Sequence, residues 1–148
     1  MGLEAADDVR FDYVASLQLA RRLWALGDEV DELMTNRVTL ARTALTDWLG
    51  AYGTQFAGRI DDESMQATAI AGELRLAAEQ WAVRWAEAMN EQNNINYARE
   101  VKRIEGDRSV LDNIGGFFTG HDDLPPQPPT IDIPTSPNFY ATGSLTRY

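Results

Sequence analysis

Every proline of this 148-residue chain lies at position 125 or beyond. Pro125, Pro126, Pro128, Pro129, Pro134 and Pro137 crowd the last stretch, and none interrupts residues 1–124. Proline inside a helix removes a hydrogen bond and clashes with the preceding turn, so a long stretch without it leaves room for long helices. Glycine sharpens the picture. From Tyr13 to Asp47 the only glycine is Gly27, and from Thr54 to Glu105 the glycines are Gly58 and Gly72. Between these stretches lies Trp48-Leu49-Gly50-Ala51-Tyr52-Gly53. Two long proline-free segments meeting at a glycine-rich corner predict an all-α hairpin: helix 13–48, turn 49–54, helix 55–105.

The hydrophobic period agrees with that division. Leu19, Leu23, Leu26, Val30 and Leu33 follow one another at steps of four and three residues. The stripe then moves over by one position to Met34, Val38, Ala41, Leu45 and Trp48, as a helix with about 3.6 residues per turn drifts against a seven-residue repeat. Arg21, Arg22, Asp28, Asp31, Glu32, Arg37 and Arg42 make the opposite, solvated face. The second segment repeats the pattern through Phe56, Ile60, Ala67, Leu74, Trp81 and Trp85. Asp61, Asp62 and Glu63 near its start and Arg99, Lys102 and Arg103 near its end suit the helix dipole. The polar run Glu91–Asn96 is rich in weak helix formers, which predicts fraying or a bend there, and Gly106-Asp107 predicts the helix end.

Outside the hairpin the pattern is weaker. Residues 1–12 read as an extended lead-in, with Asp12 as the N-cap of the first helix. Residues 107–118 read as a short helix capped by Ser109, followed by Gly115-Gly116-Phe117-Phe118. The Pro-rich segment 119–148 reads as a disordered or polyproline-like tail, and Pro125-Pro126-Gln127-Pro128-Pro129 is either a proline-recognition ligand or a plain linker.

Composition narrows the chemistry. The formal charge of −10 repels phosphate backbones, which argues against nucleic-acid binding. Twelve of the thirteen basic residues are arginine, a bias that points to high-GC coding. No cysteine is present, so disulfides and thiolate chemistry are excluded. No run of about 18 apolar residues predicts a membrane span, and the acidic N-terminus lacks the apolar core of a general secretory signal. His121-Asp122-Asp123 is the one histidine–carboxylate cluster, set in a segment without a rigid frame for a metal. Asp61-Asp62-Glu63 has no glycine loop of the EF-hand kind and reads as a helix N-terminal charge cluster. No serine has a plausible base, and Gly50–Gly53 lacks the Lys-Ser/Thr of a phosphate-binding loop. These readings predict a non-enzymatic protein with no cofactor and no metal.

Trp48-Leu49-Gly50 sits at the junction of two amphipathic helices in a small, acidic, cysteine-free chain. Over about residues 10–105 the sequence resembles the WXG family of type VII secretion, helical hairpins with a Trp-Xaa-Gly turn. Glycine reverses the chain at little steric cost, and the tryptophan beside it fixes the corner, either as the last core residue or with an edge read by a secretion partner. The resemblance implies a secreted substrate, or an escort of a larger effector or toxin. Export would be independent of a signal peptide, with the protein cytoplasmic before it leaves. The family's second signal, tyrosine followed four residues later by an acid, is not met. Tyr97 and Glu100 stand three apart, a relaxed form that still shares one helix side.

At about 1.5 Å per residue such helices are rods of roughly 50–70 Å, each with an apolar stripe too long to leave wet. A two-helix hairpin has a single internal interface, so the pattern predicts completion into a four-helix bundle on dimerisation. Leu19, Leu23, Leu26, Val30, Leu74, Trp81 and Trp85 are the expected association face. The expected partner is a second copy or a related hairpin, with a larger toxin or secretion ATPase beyond it, and no stable membrane insertion. The alternative is a structural or adaptor subunit of a phage-like or contractile-injection particle, docked through its tail.

Overall fold

The computed structural model of the chain describes residues 2–113 and 124–148. Two long helices dominate, α1 (Tyr13–Leu45) and α2 (Ala51–Asn113), preceded by a 3-10 turn at Leu3–Ala5. No strand occurs among the described residues. The chain divides into two compact units: Val14–Ala82 with Thr135–Tyr140, and Met1–Tyr13 with Val83–Pro134 and Ala141–Tyr148.

The first unit is a helical hairpin. Arg37 pairs with Glu63 at 2.8 Å, while Arg75 reaches Asp28 at 2.7 Å and Asp31 at 2.6 Å, so α1 and α2 run antiparallel. Their seam is built from small residues. Ala20, Gly27 and Ala41 of α1 and Ala71, Ala78 and Ala82 of α2 are buried, with Leu17 and Ile60 as the larger buried aliphatic groups of the unit. Small side chains let the two backbones approach closely, and they keep the core thin. Trp24 lies over this seam, with the Arg75 guanidinium 5.8 Å from its ring on one side and Phe139 edge-on at 5.9 Å.

The reversal occupies fewer residues than the sequence suggests, and glycine enters it differently. α1 ends at Leu45, three residues before Trp48, and α2 begins at Ala51 instead of residue 55. Thr46 closes the last turn of α1: its N–H donates to Thr43 O at 3.2 Å and its hydroxyl to Arg42 O at 3.3 Å. Gly50 holds φ at 99°, a left-handed conformation, immediately ahead of α2, and its carbonyl accepts the N–H of Thr54 at 3.1 Å. The left-handed residue therefore opens the second helix and does not cap the first. Gly53 is the other requirement. A Cβ there would collide with the Trp48 carbonyl oxygen, so the corner closes only over a residue without a side chain.

The second unit packs the C-terminal part of α2 against extended chain. Trp85, Ile95, Asn93 and Pro134 are its largest fully buried side chains, and Ile131 is 6% exposed. Three expectations are corrected here. The run Glu91–Asn96 does not break the helix, because Gln92 and Asn93 are buried and hydrogen-bonded to other segments. Gly106 does not end it either: α2 continues to Asn113, taking up the first part of the expected separate helix at 107–118. Arg103 spans the glycine, pairing with Glu100 at 2.6 Å and Asp107 at 2.9 Å, and a lone helical glycine costs only about 1 kcal/mol. Finally, 124–148 is laid against the helices and is not a solvated tail, since Ile131, Pro134 and Phe139 are buried. Gly115-Gly116-Phe117-Phe118 and His121-Asp122-Asp123 lie outside the described residues.

Candidate association face

The apolar residues of α1 form two rows, not one drifting stripe. Ala20, Trp24, Gly27, Met34, Val38, Ala41 and Leu45 are buried or half-buried in the hairpin seam. One position away, Leu19, Leu26, Leu33 and Leu40 repeat every seven residues and are 37%, 45%, 70% and 72% exposed. Leu23 and Val30 lie half-buried between the rows. The physical cause is residue size. The close contact selects the row containing alanine and glycine, which leaves the leucine row outside.

Seven-residue spacing on one helix face is the geometry of a helix-packing seam. The four leucines leave about 400 Å² of apolar surface in water, comparable to the largest patch on an ordinary monomer. An open groove of about 390 Å³ runs beside them, bounded by Val30, Leu33, Met34 and Leu40 of α1 and Ala67 of α2. The Arg37–Glu63 pair crosses this groove. Both side chains are about half exposed, so the pair adds at most about 1 kcal/mol to the hairpin. Ile70 on the α2 flank is 54% exposed, and Leu74 and Trp81 are half-buried.

The expected association residues therefore separate. Leu19 and Leu26 lie on the exposed row, and Leu23, Val30, Leu74 and Trp81 are half-buried in the hairpin unit. Trp85 does not join them. It is 1% exposed and belongs to the core of the second unit. Leu33 and Leu40, which carry the largest exposure, were outside the expected face; their spacing from Leu19 and Leu26 was the available signal.

At the corner, Trp48 is 48% exposed, with its ring 5.3 Å from that of Phe56. It is thus a half-covered residue and not the last core residue of α1. Leu49 and Tyr52 are 86% and 76% exposed, so an aromatic and aliphatic cluster crowns the turn beside Gly50. Tyr97 and Glu100 are occupied within the second unit. The Tyr97 ring lies 5.9 Å from that of Tyr148, and Glu100 takes both an Nε and an Nη bond from Arg103, at 2.9 and 2.6 Å. Those bonds hold the Glu100 carboxyl below its ordinary value. Asp61, Asp62 and Glu63 fall about three turns inside α2, not at its start, and Glu63 is used by Arg37.

Among the described residues, no group of three or more His, Asp or Glu side chains is placed to hold a metal ion. No described helix is long and apolar enough to cross a membrane. No family model, curated protein or solved structure matches this chain.

Proposed function

We propose that this protein is a non-enzymatic helical hairpin that works by helix–helix association, as a substrate or escort in type VII secretion. The exposed leucine row carries the reading: a hairpin that hides one row at its own seam and leaves a second, at seven-residue spacing, in water is suited to receive further helices. The Trp48-Leu49-Gly50 corner, with its half-exposed tryptophan and left-handed glycine, supports the likeness to WXG hairpins. In this reading the partner is a second copy or a related hairpin. Its apolar faces cover Leu19, Leu26, Leu33 and Leu40 in a four-helix bundle, and Trp48, Leu49 and Tyr52 remain at the bundle end for a larger effector or secretion ATPase.

Light scattering on the chain alone, and together with the product of its neighbouring gene, tests the proposal. A stable assembly of twice the hairpin's mass, homotypic or mixed, is the expected result. A monomer in both preparations at several hundred micromolar overturns it.

A further inference from the structure

Asn90, Gln92, Asn93 and Asn96 of α2 each bind main chain of another segment. Asn90 donates its Nδ2 to the carbonyl of Ile131 at 3.1 Å, and its Oδ1 accepts the Ile131 N–H at 2.8 Å. One amide thus takes both backbone groups of one residue, as a neighbouring strand would. Asn93 Oδ1 accepts the N–H of Thr146 at 2.7 Å, while its Nδ2 lies 3.5 Å from the Ser144 carbonyl. Asn96 donates to the carbonyl of Thr146 at 3.3 Å, so Thr146 too is held at both backbone groups. Gln92 Oε1 accepts the N–H of Val9 from the lead-in at 2.7 Å.

Asn93 is 1% exposed and Gln92 6%, and no buried side-chain nitrogen or oxygen among the described residues lacks a partner. Burying such amides is costly unless they are satisfied. Apart from Gln92 Nε2, which donates to the Asp8 and Asn96 side chains, their partners are backbone groups that every polypeptide carries, so the row is a receptor for extended chain. Selectivity comes from Ile131, which is 6% exposed, and from Gly143, where a Cβ would collide with Ile131 Cδ1.

We propose that this amide row is an exchangeable docking site for extended peptide, and that it takes the 124–148 segment of a second copy as well as its own. A second copy carries the same Ile131, Gly143 and Thr146, and every contact to the tail is non-covalent. In one chain the tether keeps the resident segment at an effective concentration of order millimolar, which masks the site from competitors. Weakening the resident tail unmasks it.

The test titrates a fluorescein-labelled synthetic peptide of residues 124–148 against full-length protein and follows anisotropy. The full-length variant Ile131→Asp/Thr146→Pro loses the aliphatic anchor and one backbone donor, and it should bind the peptide at least about 30-fold more tightly than the wild type, given the tether's local concentration. Adding Asn93→Leu to that variant, or using a peptide that carries Thr146→Pro, should remove the gain. A helical variant that binds the peptide no better than wild type, or binds a scrambled peptide equally, overturns the proposal. If the variant loses its helical circular dichroism, unmodified wild type decides the matter. Peptide labelled with nitrogen-15 at Ile131 and Thr146, incubated at millimolar concentration, should acquire the amide shifts these residues show in the intact chain; unchanged shifts overturn the proposal. The peptide has no leucine row, so its failure to bind leaves the association reading standing.

Discussion

Replacing Leu33 and Leu40 together with glutamate should abolish association while leaving the lone hairpin as stable as before. Both residues are at least 70% exposed, so their removal takes little from the folded monomer. Glutamate is nearly as good a helix former as leucine, and exposed substitutions of this kind stay within about 0.5 kcal/mol. Each leucine presents about 130 Å² of apolar surface, which at ~25 cal/mol per Å² is about 3 kcal/mol if a partner covers it. The pair thus supplies about 6 kcal/mol of gross association energy per copy. Even if half of that is realised, Kd weakens about 100-fold. Sedimentation equilibrium from micromolar to several hundred micromolar reads the effect, with thermal melts by circular dichroism at high dilution as the control. The variant should sediment at the 16.5 kDa of one chain and melt with the wild type. An association constant within threefold of wild type would refute the leucine row as the interface. A loss of more than about 1 kcal/mol from the dilute variant would instead place these leucines inside the fold.

Gly50→Val should cost about 1–3 kcal/mol, because a β-branched residue at φ 99° is strained even though nothing lies within 4 Å of the added Cβ; an unchanged melting curve would deny the left-handed turn. Phe139→Ala, at a side chain that is fully buried beside Trp24, should cost about 3–5 kcal/mol by urea titration, and a neutral result would mean the tail does not pack. Acid should erode the contributions of Asp8 and Glu100, whose carboxyls are held below their ordinary 3.8 and 4.5 by bonds from Gln92 and Arg99, and from Arg103, respectively. A depressed folded pKa stabilises above the unfolded value and is lost as pH falls through the folded one. The Tm advantage of wild type over Arg103→Gln should therefore shrink as pH drops below about 4.5, and a constant gap down to pH ~2 would count against the pairing. Tyr13 and Tyr148 have pKa values raised above 10.0, chiefly by burial, so their contribution holds below pH 10.0 and is lost as pH rises beyond it; absorbance titration of the phenols checks this.

The hairpin was legible because its determinants are local and periodic. Proline is confined to the end of the chain, glycine clusters at the corner, and apolar residues recur at helical steps. What faces what was less legible. Leu33 and Met34 are adjacent in sequence, and the choice between their rows depends on Ala20, Gly27 and Ala41 permitting close approach to Ala71 and Ala78. No single-helix pattern contains that information. Trp85 looked like a member of an outer face by spacing alone, yet it is 1% exposed in the core of the second unit. The tail was the least legible element. Ile131, Pro134 and Phe139 sit among prolines, threonines and serines with no period, and composition of that kind reads as solvated. Their complement was equally disguised: Asn90, Gln92, Asn93 and Asn96 look like a weak point of a helix until the backbone they bind is known. The one legible hint was that this run lacks the glycine or proline that a true break uses.

α1 carries two apolar rows that differ in exposure, and single cysteines can report on both because the chain has none of its own. The decisive measurement is the maleimide labelling rate of full-length Leu33→Cys and Met34→Cys across a dilution series, with and without the neighbouring gene's product. Position 33 should label rapidly at nanomolar concentration and become protected when the assembly forms, while the half-buried position 34 labels more slowly than position 33 at high dilution. Equal rates at the two positions, or a position 33 whose rate never changes on assembly, would contradict it.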